Sequence, residues 1–218
     1  MLRKLNTKKD KPSGKMHFLI TAGGTREYID PVRFISNASS GKMGYALALA
    51  AIKAGLKVTL ISTSDLQPPV GVDFVGVDSA SEMFTAVRKF FAKCDCLIMA
   101  AAVADYTPVK KSKIKIKKSN KNLIIKLKPT ADILKWAGKH KRRNQIVVGF
   151  ALEDKNLRKN AEKKLIEKNL DMIIANASTA IGSDKAAVQI KTPDHKWLKL
   201  PHAAKAAIAK KIVDLLTC

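Results

Sequence analysis

Acidic residues are scarce in this chain: 18 Asp and Glu stand against 41 Lys and Arg, a formal net charge of +23 over 218 residues. Cysteine is scarcer still. Three cysteines cannot close a disulfide framework in pairs, and no CxxC with distant partners offers a structural zinc site. The longest unbroken apolar run, Cys96 to Ala104, is nine residues. A membrane-spanning helix needs roughly 20, so none is expected. The four histidines, His17, His140, His195 and His202, lie far apart with no HxxxH or HExxH. No GxSxG elbow is present either, which leaves a hydrolytic triad without support. The basic N-terminus, MLRKLNTKKDKPSGK, is followed by no signal-peptide core and cleavage site, and a cytoplasmic protein is expected.

Hydrophobic residues make up 46% of the chain, enough for one sizeable core and too many for a disordered basic tail. The expected organisation is a basic extension, residues 1–15, followed by a single domain over 16–218. The charge is local. Residues 1–15 carry +5, residues 110–128 carry nine lysines and no acid, and residues 135–143 carry +5. These three stretches hold +19 of the +23. They motivate a nucleic-acid reading, but no nucleic-acid motif accompanies them, and at 6% aromatic the chain has few rings for stacking bases.

Strand and helix patterns alternate along the chain. MHFLIT (16–21) is a buried-looking strand that ends in the loop AGGTREYIDPVRFISNASS. GKMGYALALAAIKA (41–54) is a helix, with Ser39 or Ser40 placed to cap it and Gly55 to end it. LKVTLIS (56–62) follows, completing a βαβ unit with parallel pairing. Further strands are expected at 73–77, 95–102, 145–150, 171–176, 186–190 and 196–200, with helices over 80–92, 131–139, 155–168 and 202–216. The fold class is therefore α/β: a doubly wound, mostly parallel, Rossmann-like sheet. One stretch breaks the alternation. KIKIKK (113–118), the turn SNKN (119–122) and LIIKLK (123–128) predict an inserted β-hairpin flap within 110–128. Either its Ile114/Ile116 face is covered, as by a second subunit, because an isolated hairpin is marginal in water, or the segment is a solvated basic edge that blocks aggregation.

Two nucleotide motifs are approached and missed. Gly23 and Gly24 sit where a dinucleotide fold places its glycine-rich turn, but GxGxxG is absent and no acid closes the second strand. A nicotinamide-dependent oxidoreductase is thus a weaker alternative. Ser40-Gly41-Lys42-Met43 resembles part of a P-loop, with Ser36 in place of the first glycine and Met43 in place of the metal-binding hydroxyl. What remains is a small-residue run, Asn37 to Gly41, opening on a helix N-terminus. That arrangement suits an anion, or simply a capped helix. Asp105 follows the fourth strand where ligands sit in open α/β sheets, as a hydrogen-bond acceptor, a metal ligand or a turn former. Lys164 and Lys168 stand four apart, either converging on an anion or making a solvated face. Cys94 and Cys96 read as core.

TAGGTREYIDPVRFISNASSGKMG (21–44), AAVADY (101–106), KIKK (115–118), PTADIL (129–134), VGFALE (148–153) and KNLDMIIAN (168–176) occur in order over nearly the whole chain after residue 15. Together they resemble the phosphopantothenate–cysteine ligase family, also called phosphopantothenoylcysteine synthetases, in its bacterial form. The resemblance implies ligation of phosphopantothenate to cysteine in coenzyme A biosynthesis, with CTP as co-substrate, an acyl-cytidylate intermediate and Mg²⁺. It implies a synthetase domain standing without the flavin-dependent decarboxylase half, so that no flavin is expected. It also implies a homodimer to which the flap contributes.

Residue by residue, the resemblance places Asn37, Arg33 and Lys115 in the reaction. Lys113 or Lys117 are the alternatives to Lys115, because the segment holds an extra KIK. The nucleotide site would comprise Met99, Ala100, Ala101, Asp105, Lys115, Thr130, Ala131, Asp132, Ile133, Phe150, Lys164 and Lys168. Ala131 stands where members often carry proline. Gly23, Gly24, Ser39, Ser40, Gly41 and Lys42 would form the substrate phosphate loop. The metal ligands are not implied.

Overall fold

A computed structural model describes residues 14–176 and 183–217, so the basic extension lies outside the described residues except for Gly14 and Lys15. The chain opens with β1 (His17–Ala22), β2 (Arg26–Tyr28), β3 (Phe34–Ser36), α1 (Lys42–Lys53), β4 (Lys57–Ser62), β5 (Asp73–Gly76) and α2 (Ala80–Phe91). It continues through β6 (Cys96–Met99), β7 (Tyr106–Pro108), β8 (Leu127–Pro129), α3 (Ile133–His140), β9 (Ile146–Leu152) and α4 (Leu157–Glu167). It closes with β10 (Met172–Asn176), β11 (Lys185–Lys191), β12 (Leu198–Ala204) and α5 (Lys205–Thr217).

Eight strands form one sheet in the order β12-β11-β10-β9-β6-β1-β4-β5. The six from β10 to β5 pair parallel, while β11 and β12 are antiparallel to their neighbours. The chain moves outward from β1 to β4 and β5, then jumps back to β6 on the other side of β1. A crevice opens at that switch, beyond the carboxyl ends of β1 and β6.

Alternation along the strands fills a layer on each face. Phe18, Ile20, Leu60 and Ile98 pack under α1 and α5. Leu19, Ile61, Leu97 and Val147 point the other way, under α2, α3 and α4. Strands buried on both faces read as continuous apolar runs, which is why β1 and β6 are buried at every position. The doubly wound, mostly parallel architecture is as the alternation of elements implies. Cys94 and Cys96 are both buried; burial pushes the Cys94 thiol up to about 11 and raises Cys96 as well, so neither is a thiolate at neutral pH. Among the described residues no helix is long and apolar enough to cross a membrane.

Three local expectations are corrected. The segment 113–128 is not a hairpin. Only Leu127–Pro129 is a strand, and its partner is Tyr106–Pro108. The intervening backbone is bound elsewhere: Ser112 N–H donates to Ile29 O at 2.9 Å, Ile116 N–H donates to Asp30 Oδ2 at 3.1 Å, and Arg33 Nη2 donates to Ile116 O at 3.0 Å. The groups a hairpin ladder needs at Ile116 are therefore spent on the β2–β3 turn. Second, the loop after β1 contains that turn as a small antiparallel hairpin. The buried Asp30 carboxylate organises it, accepting the amides of Val32 and Arg33 at 2.8 Å each. Burial alone would raise the Asp30 pKa, but these amides, that of Ile116 and the Arg33 charge hold it below the ordinary carboxylate value. Third, neither Ser39 nor Ser40 caps α1. Gly41 occupies the N-cap at φ 78° with no side-chain bond to the helix, a left-handed conformation glycine adopts without strain.

Candidate active site

A cavity of about 550 Å³ lies in the crevice at the sheet's switch point. Its floor is the end of β6 and the turn after it, Met99 to Val103. Small side chains at Ala100, Ala101 and Ala102 leave that backbone open to a ligand. The turn is fixed by bonds to β1 and the loop after it. Ala101 N–H donates to Thr21 Oγ1 at 3.1 Å, Ala102 N–H to Gly23 O at 2.8 Å, and Ala104 N–H to Thr25 Oγ1 at 2.9 Å.

One wall comes from the α1 side of the sheet. Asn37 to Gly44 line it, carrying Ser39, Ser40, Gly41 and Lys42 into the cavity. Asn37 is held by its own amide: Nδ2 donates to Val103 O at 3.0 Å and to Ala102 O at 3.4 Å. Two carbonyl acceptors fix which end of the amide is nitrogen. The acceptor Oδ1 is thereby left without a partner among the described residues. Close approach of α1 to β1 depends on Gly44, where a Cβ would fall 2.5 Å from Ala22 Cβ and 2.9 Å from Thr21 O.

The opposite wall comes from the α3 and α4 side. Thr130, Ala131, Asp132 and Ile133 form one part of it, and Lys164 and Lys168 the other, while the Phe150 side chain lines the cavity from the α1 and α5 face of the sheet. Thr130 joins this wall to the floor, its hydroxyl donating to Ala104 O at 2.6 Å and its amide to Asp105 O at 2.9 Å. Asp132 caps α3 by accepting the Lys135 amide at 2.9 Å, and its second oxygen meets Lys168 Nζ at 2.7 Å. Burial would raise the Asp132 pKa, yet the Lys168 ammonium and the Lys135 amide bring it below the ordinary value. Lys164 Nζ donates to Phe150 O at 2.8 Å. Burial first, then the Lys168 charge, lowers the Lys164 pKa, against opposing pulls from Asp132, Glu153 and Asp105. The Asp105 carboxylate lines the cavity and makes no hydrogen bond or ion pair among the described residues.

The cavity thus brings together Asn37, the Ser39–Lys42 loop and all the expected nucleotide residues except Lys115. Lys115 is exposed and lines no part of it. Arg33 points its guanidinium at Asp30 and Ile116 O, outside the cavity. Gly23 lines neither this cavity nor its neighbour, and Gly24 borders an adjoining, more open groove with Arg26 and Phe34 that shares Asn37 to Ser40 with the cavity. Sequence reasoning missed further lining residues, among them Asn176, Ala186 and Lys205. A signal for Lys205 existed. Two antiparallel strands after β10 return the chain to the carboxyl edge, so a helix starting directly after β12 must present its N-terminus there.

The profile of the DNA/pantothenate metabolism flavoprotein C-terminal domain matches residues 13–217. The chain is 44% identical to the coenzyme A biosynthesis bifunctional protein CoaBC of Bacillus subtilis, over 91% of this chain and 50% of that protein. It is 48% identical to a cysteine/cysteine sulfinic acid decarboxylase from an unknown prokaryotic organism, over 95% of this chain and 60% of that one. It thus spans about half to three-fifths of these curated relatives. Among solved structures, the crystal structure of the C-terminal domain of a CoaBC protein superposes with a TM-score of 0.80 at 40% identity, covering 92% of this chain and 93% of that one. The chain belongs to the DNA/pantothenate metabolism flavoprotein C-terminal domain family.

Proposed function

We propose that the protein is a phosphopantothenate–cysteine ligase of coenzyme A biosynthesis, acting in the cytoplasm with CTP as co-substrate. The observation that carries this reading is the cavity itself. It joins a small-residue floor, the Phe150 ring, a wall with Lys164 and Lys168, and Asn37 opposite, in a volume suited to a nucleotide and an acyl substrate.

The first step couples two anions, so their repulsion has to be reduced. A carboxylate oxygen of phosphopantothenate attacks the α-phosphorus, and the bond to the bridging oxygen breaks, its electron pair leaving with pyrophosphate. Lys164 and Lys168 face the cavity as positioned cations that lower the energy of that charge build-up. In the second step the cysteine amine attacks the acyl carbon, the acyl–oxygen bond breaks, CMP departs and the nitrogen loses a proton. Asn37, anchored by its NH₂ to the floor, offers Oδ1 as an acceptor that orients a donor on the intermediate or the incoming amine.

The residues present fit a magnesium ion of the kind that travels with a nucleotide. Such an ion takes one or two protein carboxylates and completes its shell with phosphate oxygens and water. Asp105 would hold it; Asp132 is already committed to Lys168 and the α3 cap. Bound there, the ion supplies neutralisation of the triphosphate charge.

A homodimer belongs to the same reading. Ile114 is 77% exposed, Ile124 85% and Leu123 58%, an apolar surface on the 110–128 segment that a single chain leaves in water. Lys115 and Arg33 are attached to this segment and to the turn that anchors it. Their absence from the chain's own cavity accords with service at a partner's site.

The test is pyrophosphate release from purified protein with phosphopantothenate, comparing CTP with ATP, with and without cysteine. Release that requires phosphopantothenate and CTP, with amide product only when cysteine is added, is the expected result. No nucleotide-dependent release under any combination would overturn it.

A further inference from the structure

Lys42 and Lys205 reach the same wall of the cavity from elements far apart in sequence. Each is the first residue of its helix, Lys42 of α1 and Lys205 of α5, and both line the cavity. Asp184 sits between them, its carboxylate 2.6 Å from Lys42 Nζ and its carbonyl accepting the Lys205 amide at 3.0 Å. Burial, then the neighbouring Lys42 charge, lowers the Lys205 pKa, with Asp184 opposing. Two ammonium groups around one carboxylate leave a net positive charge. It adjoins the first turn of α1, whose N–H groups receive no side-chain cap.

The opposite wall differs. There Lys168 is paired with Asp132 and Lys164 with the Phe150 carbonyl, beside the Thr130–Ile133 segment that offers its surface to a base and sugar. The two lysine pairs hang from opposite faces of the sheet, α1 and α5 on one, α4 on the other. A ligand that satisfies both walls carries negative charge along its length.

We propose that Lys205, together with Lys42, forms a polyphosphate subsite that takes the phosphates farthest from the base and then the departing pyrophosphate. The assignment rests on the nucleotide-dependent reading above. As the bond from the α-phosphorus to the bridging oxygen breaks, the electron pair goes to pyrophosphate, and the Lys205 ammonium stabilises the charge that collects there.

Isothermal titration of the full chain with inorganic pyrophosphate tests this without turnover. Lys205→Met is expected to bind about tenfold more weakly, the worth of one charge-assisted hydrogen bond. Lys205→Arg should restore most of the loss. Lys53→Met removes the same charge from the exposed end of α1 and should bind as wild type. Equal binding by wild type and Lys205→Met, or an equal loss in Lys53→Met, overturns the subsite. If Lys205→Met melts well below wild type, Lys205→Gln replaces it and is judged on the same criterion. A wild-type chain that binds pyrophosphate but turns over no nucleotide sinks the ligase reading and leaves the subsite standing. One that binds no pyrophosphate overturns the subsite whatever the turnover.

Discussion

Lys168 Nζ lies 2.7 Å from Asp132 Oδ2, while the other oxygen of the same carboxylate starts α3 by accepting the Lys135 amide. One side chain therefore does two things that can be separated. Asparagine caps helices about as well as aspartate, so Asp132→Asn keeps the helix start and removes the ion pair. Both partners are partly exposed, and the stability loss should stay within about 1 kcal/mol by urea unfolding. The nucleotide KM should rise roughly fivefold with kcat little changed, because Lys168 is no longer held in place. In wild type the contribution is complete above the ordinary carboxylate pKa and is lost as pH falls through the depressed value.

Asn37→Asp sets a carboxylate against the Ala102 and Val103 carbonyls that now accept the Asn37 NH₂. Lost hydrogen bonds become repulsion, and the wall moves off the floor. Amide formation should fall by roughly two orders of magnitude, the scale seen when one positioned group is lost. Pyrophosphate release in the absence of cysteine should fall less. Full amide-forming activity in this variant would remove Asn37 from the mechanism.

Gly44→Ala sets two effects in opposition. Alanine gains about 1 kcal/mol of intrinsic helix propensity over glycine. Against that, the new Cβ would lie 2.5 Å from Ala22 Cβ and 2.9 Å from backbone Thr21 O, and neither is the end of a flexible chain. Overpacking of this kind costs roughly 1–3 kcal/mol, and the steric side should win. A lower urea midpoint with an unchanged slope is expected. A stabilised protein would mean that α1 can lift from β1 without loss.

The alternation of apolar strands and amphipathic helices made the central sheet legible, because β1 and β6 must be buried on both faces and admit few other readings. The cavity walls were legible for a different reason: ordered motifs marked Asn37, Asp105, Asp132 and Lys168, and the four-residue spacing on one helix joined Lys164 to Lys168. Periodicity failed where tertiary bonds compete with it. The strict alternation of KIKIKK promises a strand, yet the Ile116 amide and carbonyl are taken by Asp30 and Arg33, residues more than eighty positions earlier. The same holds at the start of α1. Two serines before a helix suggest a cap, but Ser40 O accepts a bond from Ser64 Oγ at 3.0 Å, and Gly41 makes the turn. Lys205 was missed because its place depends on counting strand directions across the whole sheet.

The exposed isoleucines give the assembly a direct test. Ile124→Lys removes apolar surface from a residue already 85% exposed in the single chain, so the monomer fold should tolerate it with a change within about 0.5 kcal/mol. Light scattering coupled to sizing chromatography should show wild type as a dimer and Ile124→Lys shifted toward monomer. A wild-type monomer at assay concentration would end the dimer reading.

The Lys164 ammonium is mostly removed from water, held by the Phe150 carbonyl and repelled by Lys168, and its pKa is lowered. Between the folded value and the ordinary lysine value the unfolded chain binds more protons than the folded one, so stability rises with pH across that window. On the proposed ligase reading nucleotide binding runs the other way, since there the triphosphate is held by the ammonium. The alkaline limb of kcat/KM for the nucleotide should therefore set in below the pKa of a free lysine, even as the protein becomes harder to unfold. Arginine stays charged throughout the range. In Lys164→Arg the limb should move to higher pH, whatever the change in absolute rate. An identical limb in wild type and Lys164→Arg would assign that titration to another group.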